Sequence, residues 1–328
     1  MTTPQDCSIG LAVESTYGTG VTPTRWFEFV DESFNYSKNI KQGAGLRVGS
    51  RVARSSRRVI ASAEGAGDLT VEAATRGLGL LFQLAVGAGT STLVSAGLYQ
   101  QVFTLADVPP SATIQVGLPD VSGTVYAYTY TGCMVDTLTV ECPNADIVRV
   151  KTSWNAKDLT TATAYAAPSY PAASGLFSFA HGAVYSGALT APTTVALGSA
   201  PTPVANIRSG SVELKHNLNT DRLNCGSGGR KEKPIPGVRD ISGSMTVEYA
   251  GTTFRDAILN DSSLTIVKTL TNGTDVLQII IPDVRLDGDL PTSNGGDLIT
   301  HDVKWVGLDG LSAAQPFWLV TRTADTAL

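Results

Sequence analysis

FNYSKNI (Phe34–Ile40), a basic loop, then GDLTVEAATRGLGLLF (Gly67–Phe82): this passage decides the fold, because the chain writes it again. The second version is VELKHNL (Val212–Leu218), another basic loop, then GSMTVEYAGTTFRDAIL (Gly243–Leu259). Phe34, Tyr36, Asn39 and Ile40 fall on Val212, Leu214, Asn217 and Leu218, and Gly67, Thr70, Val71 and Glu72 fall on Gly243, Thr246, Val247 and Glu248. Side chains alternate between the faces of a strand, and Phe34 and Tyr36 alternate with Ser33, Asn35 and Ser37, so the passage opens on a strand. It continues through a second strand, with a bulge expected at Gly65 and Gly67, into short helices over 75–86 and about 252–260. Further on, Asp136, Trp154 and Asp158 fall on Asp287, Trp305 and Asp309 at one constant offset. That offset is shorter than the one relating the helices, so the first copy holds about 25 extra residues between Leu84 and Tyr130. The repeat-defining core is Phe34, Tyr36, Val71 and Trp154, with Val212, Leu214, Val247 and Trp305.

The 328 residues are 42% hydrophobic but only 16% charged. About a quarter is usual for soluble domains, so a chain this poorly charged calls for surface hidden in contacts. The net charge of −5 argues against a protein that grips phosphates. Thr, Ser, Gly and Val are abundant, as in short strands joined by turns.

The chain divides into an extended arm (1–30), punctuated by Pro4, Gly10, Gly18, Gly20 and Pro23, a first β-unit (31–160), a connector with a strand pair near 176–186 (161–206), a second unit (207–320) and a tail (321–328). Strands are expected at 100–104, 112–117 and 123–130, with a hairpin of 133–141 and 146–154. Residues 1–20 lack a signal peptide's basic and apolar regions, and no stretch is long enough to span a membrane. Cys7, Cys133, Cys142 and Cys225 show no zinc spacing; free thiols in a reducing compartment are expected, with Cys133 facing Cys142 across a hairpin as the alternative.

Catalytic signals fail one by one. His181, His216 and His301 are far apart and match no metal spacing. Cys225–Gly229 resembles a serine-protease nucleophile loop but has no separate base-bearing segment. The same glycines lack the Lys-Ser/Thr of a phosphate loop, and Gly77-Leu-Gly79 lies within an apolar helix. Asp283/Asp287/Asp289 and Asp240/Glu248 read as solvated strand faces. No enzyme, metal or cofactor is expected.

The opening Gly10-Leu-Ala-Val-Glu14-Ser-Thr-Tyr17-Gly18-Thr19 with Pro23, the Glu32-Ser-Phe34 strand, the basic loop, the Glu64-Gly65-x-Gly67 strand before an apolar helix, and the closing Trp hairpin together resemble the tail tube proteins of long, flexible-tailed bacteriophages. The resemblance spans nearly the whole chain. It implies a mainly β fold: two tandem β-sandwich or half-barrel units, each with one short flanking helix. It implies a structural virion protein whose rings stack into the tail tube, assembled in the host cytoplasm. Its partners would be copies of itself, a tape-measure protein, tail-tip and tail-terminator proteins, and DNA crossing the lumen without specific binding. The family forms sixfold rings from single units, so a doubled chain implies a threefold ring with pseudo-sixfold symmetry, or a hexamer with one copy outside.

Carried over, the loops that reach the next ring are 41–58 and 219–238, with Arg47, Arg51, Arg54, Arg57, Arg58, Arg222, Arg230, Lys231 and Lys233. Candidate lumen-facing acids are Asp136, Asp283, Asp287 and Asp289. Rival readings are a capsid decoration or tail-terminator protein, and a non-viral β-rich surface or adhesion module.

Overall fold

The computed structural model describes residues 6–172, 174–293, 295 and 298–328; Pro4 lies outside them. Strands hold 52% of the chain and helices 7%, so the architecture is strand against strand. The elements are β1 (Ser8–Val13), β2 (Arg25–Phe27), β3 (Phe29–Glu32), β4 (Asn35–Gln42), β5 (Arg58–Glu72), α1 (Gly79–Val86), β6 (Gly87–Ser95), β7 (Leu98–Leu105), β8 (Ala112–Pro119), β9 (Val125–Cys142), β10 (Arg149–Ala156) and β11 (Asp158–Thr160). They continue with β12 (Gly182–Ser186), β13 (Thr202–Val204), β14 (Ile207–Lys215), β15 (Asp240–Glu248), α2 (Thr253–Leu259), β16 (Leu264–Asn272), β17 (Asp275–Asp287), β18 (Thr300–Leu308) and β19 (Trp318–Thr323).

The organising layer is an antiparallel run of eight strands, β4–β5–β10–β9–β14–β15–β18–β17, with β3 extending β4 along β5. Its two halves repeat residue for residue. Arg149–Ala156 pairs with Glu72–Gly65, and Thr300–Gly307 pairs with Glu248–Ile241 in the same register, so Trp154 sits opposite Gly67 and Trp305 opposite Gly243. Even an irregularity is copied: the register shift between Phe29 and Asp31 recurs between Ile207 and Ser209. A one-residue slip would turn every core side chain to the other face, so this agreement reflects the same buried set used twice.

The second layer repeats as well. β8 pairs with β9, and β16 with β17, and each ladder shifts register at the matching place, Ala112/Ile114 and Leu264/Ile266. β1 and β2 lie on the edge of β8 as β12 and β13 lie on the edge of β16. The N-terminal arm is thus a hairpin with Ile9 and Leu11 fully buried, and its counterpart sits in the region read as a connector. There β12 pairs with β13, not with a strand near 176.

The two layers close over a shared apolar core, beside which Ala200, Val267, Ile280, Trp318 and Val320 form a small separate cluster. Trp154, Leu69, Val71, Val150, Leu138 and Val140 of the first half join Val212, Leu214, Val247, Val303 and Trp305 of the second in a single cluster. The helices differ. α1 (GLLFQLAV) is apolar all round and buried apart from Gln83, as such helices must be. α2 buries only Ala257.

The structure corrects several sequence readings. The strands expected at 123–130 and 133–141 are one strand, β9, whose first half pairs with β8 and whose second half pairs with β10 and β14. Cys133 and Cys142 share that strand, so they cannot face each other across a hairpin; all four cysteines are free. The bulge expected at Gly65 and Gly67 lies instead opposite Asn39/Ile40, and those glycines pair regularly with β10. A Cβ at Gly67 would run into Phe34, and one at Gly243 into the Trp305 ring and the Ser211 carbonyl: the backbone there needs close approach, not a bulge. The extra residues of the first copy are mostly the β6–β7 hairpin, and the segment read as a tail begins inside β19, which joins β7 to β17.

Candidate functional site

Residues of the eight-strand layer that point away from the core form rows across the sheet. One row runs Glu72, Arg149, Glu141, Ser211, Ser244, Lys304, Asp287 through successive cross-strand pairs. The next runs Thr70, Lys151, Thr139, Glu213, Ser242, Val306, Arg285. Neighbours within a row and between rows touch: the Ser211 and Ser244 hydroxyls are 3.1 Å apart, Lys151 Nζ of the second row lies 2.7 Å from Glu141 of the first, and in a further cross-strand pair Thr246 Oγ1 donates to Asp302 at 2.8 Å. Half-exposed pairs of this kind contribute about 0–1 kcal/mol each, so the face is wet rather than sticky. With Asp68, Asp240 and Glu248 added, acids on it outnumber bases.

The two basic loops diverge. Residues 43–57 lie beyond the end of the sheet, with Leu46, Val48 and Val52 at 101%, 99% and 81% exposure. Among the described residues, no ion pair engages Arg47, Arg51, Arg54, Arg57 or Arg58. The second loop is pinned to the first half of the same chain. Arg230 sits 2.8 Å from Asp158 and over the Tyr36 ring, Lys231 pairs with Glu64, and Ala63 N donates to Gly229 O at 3.0 Å. Burial pushes the Tyr36 hydroxyl up, and its 2.7 Å bond to Asp158 adds to this, taking it to about 12. Burial also opposes ionisation of Asp158, but bonds from Arg230 and Tyr36 outweigh it and hold the carboxyl below its usual range. Arg222 Nη1 donates to Lys233 O, closing this loop on itself.

A third cluster locks the amino-terminal hairpin. Glu14, buried to 6% exposure, accepts four bonds: from Gly18 N (2.8 Å), Ser111 Oγ (2.9 Å), Thr113 Oγ1 (3.0 Å) and Gly132 N (2.8 Å). A buried carboxylate is tolerable only with its lone pairs filled this way. The Glu-Ser-Thr-Tyr-Gly run thus stitches the β1–β2 turn to β8 and β9.

The sequence model of the family described as "Phage tail tube protein" matches residues 4–307. The chain belongs to the phage tail tube protein family. No curated protein matches the chain closely enough to count as a relative. Membership of this family makes the chain a structural component of the virion tail.

Its expected site residues are only partly brought together. Asp283 and Asp287 stand on the polar face. Asp136 does not: it occupies the bulge of β9, where its Oδ1 accepts Leu218 N at 2.8 Å. Asp289 lies past the end of β17. The polar face also carries Asp68, Glu72, Glu141, Glu213 and Asp302, which sequence reasoning missed. The available signal was the alternation of these acids with core residues once the strand register is known. His216 is fully buried and joins the two halves. Its Nε2 bonds Ala85 O at 2.7 Å, and its Nδ1 accepts from Arg239 at 3.0 Å.

Proposed function

We propose that the chain is two ring-building units in tandem and that three chains close into a ring of six pseudo-equivalent units, which stacks into the tail tube. One observation carries this. β14, the leading strand of the second half, pairs along β9, the trailing strand of the first, so one chain already contains a finished unit-to-unit joint. Repeating that joint uses one surface against a different one, and such heterologous contacts close into rings. An open sheet edge at each end favours closure. Both copies share one sheet, which favours the trimer over a sixfold ring with one copy decorating the outside.

The polar face would line the lumen. Its acid excess repels DNA phosphates and its dispersed charge offers no gripping patch, as sliding during ejection requires. Arg47, Arg51 and Arg57 of loop 43–57 would meet acids of the next ring, setting register more than affinity. A tape-measure protein inside, and tail-tip and terminator proteins at the ends, complete the assembly, which is built in the host cytoplasm.

Electron microscopy of the purified protein with a tail-tip initiator tests this. Tubes whose end views show threefold symmetry with six inner lobes are expected. Sixfold rings with outer knobs would refute the tandem-unit ring, and protein that stays monomeric with the initiator would refute the tube.

A further inference from the structure

β4 has β5 on one side, and no described strand pairs with its other edge. At the far end of the eight-strand layer, β17 stops at Asp287, and residues 288–293 carry no strand. The corresponding stretch of the first half, 137–142, is strand throughout, and what distinguishes it is a partner: β14 lies along it. The span from Trp154 back to Asp136 equals that from Trp305 back to Asp287, so the second hairpin has the residues to form the same ladder. It lacks the strand that would template it.

We infer that the free edge of β3–β4 in a neighbouring copy is that strand, and that it docks on residues 288–293 in one predetermined register. The internal joint fixes that register once Asp287, which pairs with Lys304 in the single chain, takes the bulge place that Asp136 holds between Val135 and Thr137. Val212 pairs with Val140, and Leu214 with Leu138. Phe34 and Tyr36 stand for Val212 and Leu214, because Asn35 faces Ala66 as Glu213 faces Ser242. Asn35 therefore pairs with Leu290 of the neighbouring copy, and Ser33 with Thr292. Leu290 is 42% exposed in the single chain and gains a cross-strand partner on docking. Pro291 stands where Val140 stands in the internal joint and has no N–H, so the docked ladder is one donor short of its template.

The same template predicts an ion pair. Arg230 of the second half holds Asp158 of the first; their counterparts are Arg54 and Asp309, neither of which has an ion-pair partner in the chain among the described residues. Docking would bring Arg54 to Asp309 of the neighbouring copy. The carboxy-terminal hairpin is thereby completed by assembly, and no unpaired sheet edge of this layer is left in the ring.

This inference rests on the ring reading, and one experiment separates the two. In a Cys7→Ser, Cys225→Ser background, Asn35→Cys/Leu290→Cys is compared with the shifted pair Asn35→Cys/Thr292→Cys under mild oxidation, with tube formation scored by microscopy. Directly opposed residues have Cβ atoms near disulfide distance, while diagonal ones are roughly 7–8 Å apart. Expected is covalent trimer in tubes of the first variant, at least tenfold above the second. Tubes with no such preference would overturn the register and leave the ring standing. Failure of both variants and the parent to form rings would overturn both.

Discussion

Replacing Glu14 by Gln tests whether the Glu-Ser-Thr-Tyr-Gly turn is held by its carboxylate. The side chain keeps its volume, so packing is unchanged and only hydrogen bonding is perturbed. Four donors converge on the carboxylate, two on each oxygen. An amide offers one oxygen and two N–H groups, so whichever way Gln sits, two donors face a donor. One of each pair is a hydroxyl, Ser111 or Thr113, which can rotate away; the other, Gly18 N or Gly132 N, cannot. The minimum is one stranded backbone N–H plus loss of charge assistance at the retained pair. At roughly 1–3 kcal/mol for a buried unsatisfied group and about 1 kcal/mol for the weakened bonds, the loss is about 2–4 kcal/mol. It should fall on the amino-terminal hairpin, so proteolysis between Tyr17 and Arg25 should quicken before global unfolding is reached. The assay is urea denaturation of unassembled protein alongside timed proteolysis. A stability change below about 0.5 kcal/mol, with cleavage unchanged, would refute the reasoning.

Other outcomes follow from particular contacts. Gly243→Ala should destabilise by about 1–3 kcal/mol in denaturant titration, because the new methyl meets both the Trp305 ring and the Ser211 carbonyl. Lys268 is buried beside Cys142 with its Nζ donating to Gly210 O at 3.3 Å, and burial lowers its pKa; Lys268→Met should raise the unfolding midpoint, by about 1–3 kcal/mol in stability. His216 faces Arg239, Asp136 and the Ala85 carbonyl. Burial first, then Arg239, holds its pKa below the ordinary value against the raising effects of Ala85 and Asp136. The unfolded chain therefore binds a proton more readily. The stabilisation is complete above about pH 6.5 and declines as pH falls below it. Urea midpoints at pH 7.5 and 5.5 should differ in the parent and converge in His216→Gln. Arg47→Glu with Arg51→Glu should leave monomer stability within about 0.5 kcal/mol but abolish tubes, as microscopy would show.

The repeat was legible because its core positions are written in period two and its tryptophans keep one spacing. Phe34, Val71 and Trp154 could be matched to Val212, Val247 and Trp305 without knowing the fold. What failed were features set by context. Gly65 and Gly67 looked like a bulge, yet they are glycines because Phe34 crosses the backbone there, and that contact lies more than 30 residues away in sequence. β12 and β13 escaped notice as counterparts of β1 and β2 because neither strand buries a residue completely, so neither carries a strong apolar pattern. Asp136 looked like an acid of an open face because its alternation is correct; the register shift that takes it off that face lies in the β9–β10 ladder, and its carboxylate accepts Leu218 N. The polar face was legible as composition, in the many Ser and Thr residues, but its membership required the pairing partners.

Doubling the unit changes the physics of closing a ring. Six separate units would make six joints through five associations, each association charged with the loss of translational and rotational freedom, a cost put at roughly 4–15 kcal/mol. In a ring of three tandem chains, half of the joints are already made. β9 and β14 meet within one fold, backed by His216 bridging Ala85 and Arg239 and by Arg230 on Asp158. The joints between chains can then be weaker without loss of the ring. The unformed ladder at 288–293 fits that division: the covalent joint is complete in the single chain, and the other is held open until a neighbour arrives. Duplication also frees the two basic loops from a common task. The second is spent on the internal joint, through Arg230 and Lys231, while the first keeps Arg47, Arg51 and Arg57 free. Axial contacts through it would then alternate around the ring, three strong and three weak, and successive rings would lock at threefold rather than sixfold steps.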